Sequence, residues 1–134
     1  VNKRYVAVVD GKLADAPDAG GWGLIDLPIA VDWPRRPLRI IDAQLGKASQ
    51  TRWRVLAHDA AAHNTRLELA PLSGRSHQLR VHLQAIGHPI LGDRLYGSDA
   101  VQARAPRLLL HASRLQFVHP VSAEMLSFES APPF

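Results

Sequence analysis

The sequence predicts an α+β fold: a mixed, mainly antiparallel sheet with few helices. Three observations predict it. Short segments that alternate polar with apolar residues recur along the chain, which is the pattern of half-buried strands. A single segment, residues 76–85, combines helical spacing with a start and a stop signal. Glycine and proline separate the periodic segments and mark the turns.

The elements follow in order. Residues 4–9 (RYVAVV) alternate as a strand, and Asp10-Gly11 is a turn signal. Residues 14–23 hold Pro17, Gly20, Gly21 and Gly23 and read as a loop. Residues 24–27 are a short strand ended by Pro28. Residues 32–37 contain two prolines, which remove donors and fix φ, so this stretch is an exposed basic loop and not a helix interior. Residues 50–56 and 65–69 alternate and form an antiparallel hairpin across residues 58–64. Over residues 76–85, Ser76 is placed to cap a helix. Leu79, Leu83 and Ile86 form its apolar stripe, and Gly87 can end it. Residues 108–110 are ambiguous, whereas 115–118 and 125–128 read as closing strands. No internal repeat or low-complexity tract interrupts this order.

A chain of 134 residues is one domain or part of one. Its 46% hydrophobic and 21% charged residues are ordinary for a soluble fold. No apolar run approaches the roughly eighteen residues that span a membrane, and the alternating first residues lack signal-peptide architecture. The absence of cysteine excludes disulfides and thiolate metal sites and fits a reducing cytosol. Position 1 is Val, not Met, so a fragment or a processed product is expected.

Charge narrows the partner. The net charge is +4 and the pI near 10.1, which favours an anionic ligand. Thirteen of the 16 basic residues are arginine, the better residue for bidentate phosphate contacts and for stacking on bases. Arg35, Arg36, Arg39, Lys47, Arg52 and Arg54 cluster against the single acid Asp42. This cluster is either a solvated basic face or an RNA surface.

The densest polar chemistry lies in Gly74-Arg75-Ser76-His77-Gln78-Leu79-Arg80-Val81-His82-Leu83 and in Gly92-Asp93-Arg94-Leu95-Tyr96-Gly97. Arg75, at the start of the predicted helix, opposes the helix dipole and is expected to reach a carboxylate or a phosphate. A structural ion pair is the alternative. His77 and His82 are five apart, on different faces of a helix, so with His88, His111 and His119 they form no zinc-type set. Tyr5 shares a strand face with Ala7 and Val9, either as a core tyrosine or as part of a site. Asp93 reads as a turn-capping carboxylate in preference to a nucleophile.

These segments resemble the RluA-type pseudouridine synthases over nearly the whole chain. Lys3-Arg4-Tyr5-Val6-Ala7-Val8-Val9-Asp10-Gly11 is similar to the family's strand after the nucleophile block. Gly46-Lys47-Ala48-Ser49-Gln50-Thr51 resembles its Gly-Lys-x-Ala-x-Thr turn, with Ser49 where alanine is usual. The Arg75 helix and the 92–97 segment match most strongly, and Arg107-Leu108-Leu109-Leu110-His111-Ala112 followed by Phe117-Val118-His119-Pro120 adds to them.

The resemblance implies isomerisation of uridine to pseudouridine in ribosomal and/or transfer RNA, without cofactor or metal, in the cytoplasm. It matches Tyr5 to a tyrosine that lies against the uracil and takes the C5 proton. It matches Arg75 to an arginine that pairs with the catalytic aspartate. Leu79 is expected to wall the uracil pocket, and Arg35, Arg36, Lys47 and Arg80 to contact substrate. The family's aspartate sits in a His-Arg-Leu-Asp block that no part of this sequence matches. Residues 1–134 are therefore expected to be the C-terminal portion of a single catalytic domain, inactive without the N-terminal half. A non-catalytic RNA-binding protein built from the same fold is the alternative.

Overall fold

The computed structural model describes residues 2–15 and 20–134. Six antiparallel strands form the main sheet. Its strands are β1 (Asn2–Asp10), β2 (Trp22–Asp26), β5 (Gln50–Asp59), β6 (Asn64–Pro71), β7 (Leu110–Val118) and β8 (Met125–Glu129), in the order β2-β5-β6-β1-β7-β8. A two-stranded ribbon, β3 (Ile29–Val31) and β4 (Arg39–Ile41), stands apart from it. Two helices complete the fold, α1 (Gln78–Ala85) and α2 (Asp99–Ala103). Every pairing among the described residues is antiparallel.

Alternation along β1 explains its central place. Ala7 and Val9 are fully buried, with Tyr5 packed beside them. They meet Leu67 and Leu69 of β6, Leu79 and Leu83 of α1, and Ile90. Each leucine buried in this way contributes about 2 kcal/mol. Val8, on the opposite face, packs with Leu91 and Val101, so β1 is covered on both sides at this level.

The predicted hairpin forms as β5 and β6, longer than expected, with a bulge between Val55 and Ala57. Residues 24–26 are part of β2, which begins at Trp22 inside the expected loop and ends one residue before the expected Leu27; residues 16–19 of that loop lie outside the described residues. The basic stretch 32–37 is exposed from Trp33 to Pro37 and contains a single 3-10 turn, Trp33–Arg35. The ambiguous residues 108–110 lead into β7.

Helix α1 starts at Gln78, not at Ser76. His77 occupies the position before it in the left-handed region, at φ 56, and makes no side-chain cap. The Gln78 side chain takes over the local hydrogen bonds. Its Oε1 accepts from the Arg75 amide at 3.1 Å and from the Ser73 hydroxyl at 2.8 Å. Its Nε2 donates to the Gln50 carbonyl at 2.8 Å and to Thr51 Oγ1 at 3.0 Å. A glutamine facing the sheet edge supplies more partners than an exposed serine could. Gly87, at φ 85, ends the helix as expected.

Candidate functional site

A cavity of about 370 Å³ opens where β1, the end of β6, the loop 72–77 and the start of α1 converge. Lys3, Tyr5, Arg75, His77, Leu79 and Arg80 line it, with Leu108 and Leu110 closing the apolar side. That volume lies in the range of small-molecule sites. Lys3 joins Tyr5 because residues two apart on a strand share a face.

Tyr5 packs its ring on the core, while its hydroxyl makes no hydrogen bond among the described residues. No described side-chain polar atom is both buried and unpartnered, so the Tyr5 hydroxyl opens to solvent. This separates it from a core tyrosine with a bonded hydroxyl. Arg75 is exposed at the rim. Its Nε and Nη2 donate to the Ala48 carbonyl at 3.4 and 3.2 Å, which ties it to the turn beside Lys47. No carboxylate pairs with Arg75 among the described residues. Leu79 is buried beneath the cavity floor.

Arg80 lines the cavity but is committed elsewhere. It grips the fully buried Asp93 through two bonds, Nε to Oδ2 at 3.0 Å and Nη2 to Oδ1 at 2.7 Å. Asp93 Oδ1 also accepts the Leu95 and Tyr96 amides at 3.0 Å each, which is the turn-capping role expected of it. Burial alone would raise the Asp93 carboxyl, but Arg80 and the two amides outweigh it and hold the group below its ordinary value. The same bond raises Arg80.

The Tyr96 hydroxyl accepts the Arg39 amide at 2.9 Å and sits 2.7 Å from His77 Nδ1. Burial raises Tyr96, so its hydroxyl keeps its proton beside His77 Nδ1. Burial first, then Arg80 and Arg39, lower His77. His77 therefore presents a neutral ring to the cavity. From sequence His77 is only excluded from a zinc-type set; the partner that orients it lies 19 residues away.

His82 is fully buried. The Leu27 carbonyl, 2.8 Å from Nε2, only accepts, so Nε2 carries the proton and Nδ1 accepts from Thr51 Oγ1 at 2.8 Å. Both nitrogens are occupied, and His82 is structural. The described residues contain no group of three or more His, Asp or Glu placed to hold a metal ion.

Of the remaining expected contacts, Arg35 pairs with Asp32 at 2.9 Å, and the Arg36 guanidinium lies 4.8 Å from the Trp33 ring centroid. Neither lines the cavity, and nor does Lys47, which is exposed on the turn that Arg75 holds.

The RNA pseudouridylate synthase family model matches residues 1–85. A dual-specificity RNA pseudouridine synthase RluA of Haemophilus ducreyi is 45% identical over 98% of this chain. One of Escherichia coli is 46% identical over the same share. The chain spans 58% of the length of each of these relatives. Among solved structures, human RNA pseudouridylate synthase domain containing 1 superposes over 99% of this chain and 55% of its own, with a TM-score of 0.82 and 32% identity. Human RNA pseudouridylate synthase domain containing 4 shares the fold, with a TM-score of 0.70. The chain belongs to the RNA pseudouridylate synthase family.

Proposed function

We propose that this protein isomerises uridine to pseudouridine in ribosomal and/or transfer RNA in the cytoplasm, and that residues 1–134 are the C-terminal portion of its single catalytic domain. The observation that carries the reading is the meeting of Tyr5, Arg75 and Leu79 at one cavity, three residues that lie up to 74 positions apart in sequence. The names of the relatives, which are dual-specificity RNA pseudouridine synthases, support the choice of substrate.

The reaction breaks the C1′–N1 bond, turns the detached uracil and joins C1′ to C5, and the C5 proton leaves. The target base first leaves its stack, at a cost of a few kcal/mol. Leu79 and the apolar side of the cavity then hold the uracil. The open Tyr5 hydroxyl is the group for the C5 proton. Arg75, anchored by Ala48, keeps further N–H donors for the aspartate that acts at the ribose. Opposite charge keeps that aspartate ionised and oriented. The aspartate belongs to a block outside these 134 residues. Arg35, Arg36 and Lys47, all exposed, supply cations for phosphates.

The test is tritium release from C5-labelled uridine in ribosomal and transfer RNA by the intact protein. Release is expected from at least one of the two RNAs. Binding without release from either would leave the non-catalytic RNA-binding reading.

A further inference from the structure

We propose that the sheet face turned away from the cavity is a second RNA-contacting surface, centred on Trp22, which takes a stretch of phosphate backbone distant from the target nucleotide. It rests on the RNA-modifying reading above. Strand alternation creates it. On β5, Thr51 and Trp53 face the core side, so Arg52 and Arg54 point the other way. The register aligns them with their neighbours. Trp22 opposes Arg54, which opposes Glu68; Arg52 opposes Ala70; and Arg4 opposes Arg114.

The guanidinium carbons of Arg4, Arg52 and Arg54 lie 5.5, 4.8 and 4.7 Å from the Trp22 ring centroid. The negative face of the indole holds them together despite their mutual repulsion. Among the described residues, two acids pair with the arginines of this face. Glu68 is taken by Arg54 at 2.8 Å, and Glu129 stands 3.9 Å from Arg114. Arg4 bonds Asn2 Oδ1 and the Lys3 carbonyl, and the Arg52 guanidinium makes no hydrogen bond among the described residues. Arg4 stands directly opposite Arg114, a like-charge pair that Glu129 offsets only across 3.9 Å.

The geometry selects the ligand. Guanidiniums crowd the indole, which leaves it as a pedestal for them and not a platform for a base. Their forks match phosphate oxygens. From Arg114 on β7 to Arg52 on β5 is three strand spacings, roughly 14 Å at about 4.8 Å each. That span exceeds one phosphate and suits a row of them. The surface therefore reads shape and charge, not sequence.

The experiment titrates the intact protein with a stem-loop RNA between about 50 and 200 mM salt. The Arg4→Gln/Arg52→Gln variant is expected to lower the slope of log K against log salt by about two, one for each phosphate no longer neutralised. Arg52→Lys keeps the charge and should keep the slope. Lys12→Gln removes an exposed charge beyond the other end of β1 and should leave the slope unchanged. Should circular dichroism show the double variant unfolded, Arg52→Gln alone carries the test, with a drop of about one. An unchanged slope overturns the proposal, as does an equal drop for Lys12→Gln, which would mean net charge alone. Binding with these slopes but no tritium release would sink the isomerase reading and leave this surface standing.

Discussion

Arg75 and Arg80 stand five residues apart and share one cavity, yet the fold gives them opposite tasks. Arg75 is exposed and holds only a carbonyl, so its charge is available for chemistry. Arg80 is bound at both ends of a carboxylate that has no contact with solvent. Replacing each separates the tasks. Tyr5→Phe, which removes only the hydroxyl, should lower turnover by about 10²- to 10⁴-fold with little change in melting temperature. Arg75→Ala should also abolish most turnover while the protein stays folded. Arg80→Ala should do the reverse: it strands the Asp93 charge and should destabilise the fold by about 3 kcal/mol, read as a lower urea midpoint. An Arg80→Ala protein as stable as the parent would show that Asp93 is held by its amides alone. The sequence placed both arginines beside the substrate. It could not separate them, because the carboxylate that Arg80 holds lies thirteen residues further on.

Elements with a clear period were legible, and elements that owe their existence to packing were not. The hairpin β5–β6 and the strand β1 followed from alternation. Strands β3 and β4 have three residues each, too few for a period, and form by pairing with one another. Helix α2 has five residues, although Ser98 caps it by accepting the Val101 amide at 3.3 Å. The start of α1 was misplaced because Gln78 finds its partners across 27 and 28 residues, a choice that no local rule contains.

The same junction sets a pH dependence. His82 links α1 to β5 through Thr51 and to the end of β2 through Leu27. Burial lowers its pKa below the ordinary value of 6.5, although the Leu27 carbonyl and Asp26 pull it back in part. A histidine held neutral in the fold stabilises it fully above the unfolded pKa. That contribution is lost as pH falls below about 6.5 and through the lower folded value. His77, also lowered, acts in the same direction. The melting temperature should therefore fall on going from pH 8 to pH 5, and His82→Gln should flatten that decline. A melting temperature that rises on acidification would contradict the neutral assignment of both rings.

At the scale of the molecule, strand order was hidden from the sequence. β1 pairs with β6 and β7, more than fifty and a hundred residues away, a strand order that no local pattern contains. The proposed activity is distributed on the same scale. These residues carry the tyrosine, the arginine and the pocket wall, and the resemblance assigns the bond-breaking carboxylate to a block they do not contain. Asp93 cannot stand in for it, since its oxygens are filled by Arg80 and two amides. Residues 1–134 alone should release no tritium from C5-labelled uridine in RNA. The deficit should match the several orders of magnitude that follow removal of a nucleophile, not a partial decline. Mixing them with an N-terminal fragment that bears the aspartate block should restore release, and Arg75→Ala or Tyr5→Phe should remove it again. Release by the 134 residues alone would turn attention back to Asp93. Restored release that survives both substitutions would show that the cavity between β1 and α1 is not where the uracil is held.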